Sequence, residues 1–485
     1  MYLEEYARHD ALALSHLVRH GEVSGAELAE LAAAATERVD GILGAVVEIY
    51  PDHQAAGDAA AAAGGPFAGV PLLLKDLFHG DAGRTCENGS RLAAGWVAPV
   101  ASEWVRRLRG AGLAPVGRAT TSEFGVMGTT ETLAQGPTCS PWSAGRMAGG
   151  SSGGSAAAVG AGIVPIATAS DGGGSIRIPA SACGVVGLKP TRGRVTWAPS
   201  AAEPLSGWAV HFVVTRSVRD AAVALDVLRE PASGDPNVAP APSRAYADEL
   251  TGPSQALRIA FCHEPWSGAP GDPRVRAACE ATAGLLAQLG HEVEQARPAF
   301  EWEQFLGAMT TIWAADLAHS VDGFAALVGR EPGPGTLEGT TLAMVEHGRS
   351  LGSGRLLDAL GDVNVLSRQI GAFFAGYDAL LTPTLGALPA PVGRYDPLAD
   401  VPPRELFASW SDLETFLPVF NATGQPAISL PLQMSEEGLP IGMQLVGRFG
   451  DEATLLALAA QLEQAQPWAG RVPPIHAAAP APLGA

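Results

Sequence analysis

Along residues 42–169 short apolar runs alternate with helical stretches, and this alternation leaves few architectures open. Residues 42–50, partly β-branched, predict a strand; 54–63 predict an alanine-rich helix that stops at Gly64-Gly65-Pro66. Residues 70–75 then predict a buried strand with a lysine at its C-terminal end. A helix over 103–112, a strand over 114–118, a small-residue helix over 155–162 and a strand over 163–169 continue the pattern. Strands separated by helices call for a mostly parallel sheet, because parallel neighbours need crossovers and these cover the faces. Upstream, 11–39 predict two amphipathic helices, the second opened by Ser24 and Glu27 at capping-box spacing. Downstream, 257–261 and 277–289 predict a strand and a helix, 300–375 are mostly helical, and 379–382, 427–431 and 442–446 predict short strands. The expected organisation is one large domain over 1–471, with a peripheral helical region at about 220–375 and a mobile Pro/Ala tail over 472–485.

Composition narrows the function. Apolar residues make up 47% of the chain and charged residues 17%, which excludes disorder and fits a protein with an extensive core. A net charge of −19 repels phosphates and anionic headgroups, so neither nucleic acid nor membrane is an expected partner. The five cysteines, Cys86, Cys139, Cys183, Cys262 and Cys279, are scattered and form no CxxC pair. Neither a zinc site nor a disulfide framework is expected, and the cytoplasm is the expected compartment.

Only two of the 31 basic residues are lysines, Lys75 and Lys189. An arginine-rich coding bias explains the depletion, and under it the surviving lysines mark places where arginine does not serve. Arginine cannot lose its proton in a protein, whereas a buried lysine can and so can act as a base. Lys75 follows Val70-Pro71-Leu72-Leu73-Leu74, an apolar strand that carries it inward, where desolvation favours the neutral amine.

Two glycine-serine clusters flank the 155–169 helix and strand: Gly149-Gly150-Ser151-Ser152-Gly153-Gly154-Ser155 and Asp171-Gly172-Gly173-Gly174-Ser175. A helix of about 10 residues covers about 15 Å, and a strand of about 6 residues covers about 20 Å back, so the clusters can meet. Glycines ahead of Ser175 let consecutive N–H groups face one concavity, a nest suited to the oxyanion formed when a hydroxyl attacks an amide. Donors of this kind stabilise a transition state by about 3 kcal/mol each. No histidine lies in either cluster, which leaves Lys75 to take the proton a serine nucleophile must lose.

Residues 149–156, the run Ser170-Asp171-Gly172-Gly173-Gly174-Ser175-Ile176-Arg177-Ile178-Pro179 and its continuation Cys183-Gly184-Val185-Val186-Gly187-Leu188-Lys189-Pro190-Thr191 resemble the signature region of the amidase signature family. Residues 69–76 and Phe420-Asn421-Ala422-Thr423-Gly424-Gln425-Pro426-Ala427 fit the same pattern, so the resemblance runs in order over about residues 10–470. It implies an α/β fold with a large mixed, mostly parallel sheet of about eleven strands sandwiched by helices. It implies hydrolysis of a linear or cyclic carboxylic amide, with Ser175 as nucleophile, Ser151 as bridging serine after a cis peptide bond, and Lys75 as base. Backbone amides of Gly172, Gly173, Gly174 and Ser175 match the oxyanion hole. Many members place Thr, Ile or Gln where this chain has Gly172, a departure that puts the tightness of the hole in doubt. Residues 66–77, 177–194 and 417–432 most resemble a branch that opens cyclic amides, but these stretches line the shared core and say little about specificity.

Other side chains carry two readings. Asp171 forms the turn or orients the hole, and Arg177 pairs with a buried carboxylate, Asp171 being a candidate; Ser152 and Ser155 cap a helix or bond near the triad. Lys189 reads as structural. Trp142, Trp197, Trp208 and Trp313 read as core, with a cleft-lining role as the alternative. The pocket itself is expected from about 121–147, 195–212 and 300–420. Two rival activities stay open. Gly149-Gly150-Ser151-Ser152-Gly153 also fits the nucleophile elbow of an α/β-hydrolase-type esterase, with His476 as base. A glutaminase-type subunit of a tRNA-dependent amidotransferase is the other, although Val195-Thr196-Trp197-Ala198-Pro199 departs from that subunit's usual continuation. The expected partner is a small-molecule amide, with a homodimer as one option for assembly. No metal or organic cofactor is required.

Overall fold

Lys75 ends a strand whose six residues are all buried, and that strand lies inside a sheet of eleven. The computed structural model of the protein describes residues 1–78 and 80–479. In chain order the sheet strands are β1 (Val46–Ile49), β2 (Val70–Lys75), β3 (Leu113–Ala119), β4 (Ile166–Asp171), β5 (Val186–Lys189) and β6 (Val210–Thr215). They continue with β7 (Arg258–Phe261), β8 (Glu292–Gln295), β9 (Ala379–Pro383), β10 (Ala427–Met434) and β11 (Pro440–Gly447). Across the sheet they run β1-β3-β2-β4-β6-β5-β10-β11-β9-β7-β8.

The sheet is mixed. Pairing is parallel in two blocks, β3-β2-β4 and β9-β7-β8, where helices intervene between strands. It is antiparallel at the β1 edge and from β4 through β6, β5, β10 and β11 to β9. The parallel character read from strand–helix alternation is thus confined to those blocks. In the middle, β10 and β11 form a hairpin, which only antiparallel neighbours allow.

Local chemistry sets most boundaries. Ser24 Oγ accepts the Glu27 amide at 3.1 Å to open the helix Gly25–Leu43, while the Glu27 carboxylate takes the N-terminal ammonium at 2.7 Å. The helix Gly153–Gly160 begins ahead of the predicted position. A short helix, Arg177–Cys183, follows the Ser175 turn; Pro179 sits in its first turn, where a missing N–H costs nothing. The region 220–375 holds the helices Trp302–Val328, Gly339–Ser350 and Ser353–Phe374, but it also contributes β7 and β8 to the sheet edge.

Three apolar clusters share the interior, the smallest of them Met147, Ile178, Leu385, Leu413 and Leu417. The largest runs along the sheet from β1 to β11, and the second is the aromatic-rich packing of the 300–420 region, including Trp302, Phe305, Trp313, Phe407 and Trp410. The stretch expected as a mobile tail is packed as far as residue 479. Ile475 N donates to Pro141 O at 3.1 Å, Ala477 N to Ala161 O at 2.8 Å, and His476 is buried. The rest of that predicted tail, 480–485, lies outside the described residues. Among the described residues no helix is long and apolar enough to cross a membrane.

Candidate active site

The C-terminal ends of β2 and β4 lie on the same side because the two strands run parallel, and Lys75 and Ser170 meet there. The Lys75 amide donates to Thr168 Oγ1 at 2.7 Å, and Lys75 Nζ reaches Ser170 Oγ at 2.8 Å and Ser151 Oγ at 2.7 Å. Lys75 is 1% exposed. Burial holds its pKa well below the usual lysine range, and the negative charge of Asp171 pulls back only in part. Thr168 and Ser170 alternate with Ala167 and Ala169 along β4, so one face of a buried strand presents two hydroxyls to Lys75, one to its backbone amide and one to its amine.

The two glycine-serine clusters meet, as the segment lengths suggested. Ser152 N donates to Ser175 O at 3.3 Å, and Ser152 Oγ bonds both Ser170 O and Ser170 N, at 3.2 and 3.3 Å. Ser152 therefore ties the two loops together and makes no side-chain cap, correcting the capping reading; Ser155 likewise donates to Thr168 O at 2.7 Å. The Gly150–Ser151 peptide is cis. A Cβ at Gly150 would stand 2.6 Å from the Thr129 backbone, so only glycine fits. Thr121 Oγ1 donates to Ser151 O at 2.9 Å and Thr130 Oγ1 to Gly149 O at 2.9 Å, which fixes the loop carrying Ser151. Ser151 and Ser175 line one cavity, yet among the described residues the Ser175 hydroxyl has no hydrogen bond. The contact between the two hydroxyls is not made in this state of the molecule.

Asp171 and Arg177 form the base of the Ser175 turn, both fully buried. Arg177 Nε and Nη2 donate to the Asp171 carboxylate at 2.9 Å each, Nη2 also to Asn421 Oδ1 at 2.7 Å, and Nη1 to Gln444 Oε1 at 2.7 Å and Leu417 O at 3.2 Å. Burial alone would raise the Asp171 pKa, but Arg177 outweighs it and holds the carboxyl down at about 2. The same carboxylate accepts the amides of Gly174 at 2.7 Å and Ile176 at 3.2 Å. Gly174 is thereby removed from the set of four expected oxyanion donors: its N–H is engaged in holding the turn. The amides of Gly172, Gly173 and Ser175 have no acceptor among the described residues.

Two clefts open on Ser175, separated by Trp313. The larger, a cavity of about 100 Å³, contains Ser151, Gly172, Leu77, Phe124, Trp197 and Leu205. Its walls include the strained positions Phe78, Phe124 and Leu205, non-glycine residues at φ of 51°, 46° and 55°. The second cleft is aromatic, with Trp302, Trp313, Phe407 and Trp410 around Glu414. All three expected pocket stretches supply residues, but Trp410 and Glu414 were not singled out by sequence reasoning. Of the four tryptophans weighed, Trp197 and Trp313 line the clefts; Trp142 donates to Cys183 O at 2.9 Å, and Trp208 stacks on Phe305.

The elbow reading of Ser151 does not fit this geometry. His476 lines a separate cavity, with its ring nitrogens against Arg216 at 3.3 Å and the Ala478 amide at 3.0 Å, so no histidine couples to Ser151 among the described residues. Burial raises the thiol pKa of Cys139 and Cys183, the opposite of what a second nucleophile needs. No cluster of metal-ligating side chains occurs among the described residues.

The fold and site define an amidase, an enzyme acting on carbon–nitrogen bonds: the chain belongs to the amidase family, whose profile matches residues 27–456. It is 39% identical to a 6-aminohexanoate-cyclic-dimer hydrolase of Paenarthrobacter ureafaciens and 38% identical to one of Pseudomonas sp. (strain NK87), each alignment covering 96% of both chains. A solved structure of 6-aminohexanoate cyclic dimer hydrolase complexed with substrate superposes with a TM-score of 0.92 at 37% identity, over 97% of this chain and 99% of that one.

Proposed function

We propose that the protein hydrolyses a small carboxylic amide through a Lys75-Ser151-Ser175 relay and an acyl-enzyme. The observation that carries this reading is the sheltered Lys75 Nζ, 2.7 Å from Ser151 Oγ in a cavity that Ser175 shares. Neutral Lys75 takes the Ser151 proton as Ser151 takes that of Ser175. The Ser175 oxygen bonds to the amide carbon, and the resulting oxyanion is held by the free amides of Gly172, Gly173 and Ser175. The C–N bond then breaks, with the proton returned through Ser151 to the departing nitrogen. Water cleaves the ester, releasing the acid and restoring Ser175. A substrate seated between the clefts closes the Ser151–Ser175 gap, as catalytic hydrogen bonds that are long in a free enzyme tighten on binding. The likeness to hydrolases of a cyclic diamide supports cyclic as well as linear amides as substrates.

The test is turnover of an amide panel by the purified chain alone, with hydroxylamine added to intercept the acyl-enzyme as a hydroxamate. Hydroxamate formation by wild type, absent in Ser175→Ala, is expected. Full activity in Ser175→Ala, or strict dependence on a second subunit, would overturn the reading.

A further inference from the structure

The aromatic cleft holds one acid and no base. Glu414 is partly buried there, and among the described residues its carboxylate has neither hydrogen bond nor ion pair. Space for it exists because position 128 is glycine: a Cβ there would collide with the Glu414 carboxylate. Trp302, Trp313, Phe407 and Trp410 surround it, and ring faces attract cations. The nearest charges, Asp171 and Asp412, are negative; burial and these neighbours push the carboxyl up to about 8. A bound cation would supply the missing charge and favour the ionised form.

The relay fixes which half of the substrate enters this cleft. Ser151 must hand its proton to the leaving nitrogen, so the amine half lies in the cavity that contains Ser151. The acyl half is left with the cleft on the other side of Trp313. From this juxtaposition we infer that Glu414 and its aromatic walls select acyl groups that end in a protonated primary amine, making ω-aminoacyl amides a preferred substrate class. The inference rests on the proposed relay for the orientation of the substrate.

Matched anilides test it: acyl chains of four to eight carbons ending in an ammonium, each paired with the methyl-ended chain of equal length. At the best length, wild type should favour the ammonium member at least tenfold in kcat/KM, and Glu414→Gln should bring the ratio to about one. A merely structural Glu414 would lower both rates together and leave the ratio standing, which would overturn the inference, as would equal rates in wild type. Calorimetry of each pair with Ser175→Ala reads the same ratio as Kd without turnover. Hydrolysis that survives in both Lys75→Ala and Ser175→Ala would refute the relay alone, leaving the ratio to judge the cleft.

Discussion

Two strands of the sheet, β2 and β5, end in fully buried lysines, and they differ in what each amine meets. Lys75 faces two hydroxyls, whereas Lys189 Nζ donates to the carbonyl of Pro190 at 2.9 Å. Burial depresses both; Lys189, with the positive charge of Arg177 added against the pull of Asp171, is brought down to about 7. Desolvation therefore does not single out a base. A carbonyl has no proton to give, so only Lys75 is placed to remove one.

The greatest contrast is expected from Lys75→Ala, with kcat/KM lower by about 10³–10⁴ and an unchanged circular dichroism spectrum. Lys75→Arg should be as inactive, because a guanidinium keeps its proton. Turnover by Lys75→Arg near the wild-type rate would erase the distinction between the two lysines. Next comes Asp171→Asn, which leaves Arg177 buried without its counter-charge and should lower unfolding free energy by about 3–5 kcal/mol in denaturant titrations. The pH profile follows. In the proposed relay the neutral amine is the active form, so kcat/KM should fall tenfold per unit on the acid side of the depressed Lys75 pKa. A profile with no acid limb at any pH at which the fold persists contradicts this assignment. Lys189→Met should keep that acid limb and retain turnover within about threefold, since no proton of the relay passes through it. Its effect should appear in stability instead. Lys189 binds its proton at about 7 when folded and near 10.4 when unfolded, so the unfolded chain carries more protons in between and stability rises with pH there. Lys189→Met should flatten that slope in melts taken between pH 7 and 9.

What the sequence disclosed depended on whether the signal was local. Lys75, Ser151 and Ser175 were legible because composition, apolar patterning and glycine clusters mark them within a few residues. Ser170 had a signal too, the Thr168–Ser170 alternation on a buried strand, but its meaning required the partner strand. Gly174 was misplaced as an oxyanion donor because the direction of an Asp171 carboxylate depends on Arg177, Asn421 and Gln444, which tertiary structure brings together. Glu414 had no sequence mark at all: one acid in a turn between two short helices is ordinary until Gly128 and four aromatic rings surround it. The eleven-strand sheet followed from family likeness, while its pairing directions depended on which strands become neighbours, which alternation alone does not give.

Arg177 reaches Gln444, 267 residues further along the chain, while its other nitrogens hold the carboxylate that shapes the Ser175 turn. The conformation of the Ser175 turn is consequently set by a strand far along the chain, β11. A growing chain carries Lys75, Ser151 and Ser175 long before it carries Gln444, so the Ser175 turn lacks this brace until the β10–β11 hairpin has been made.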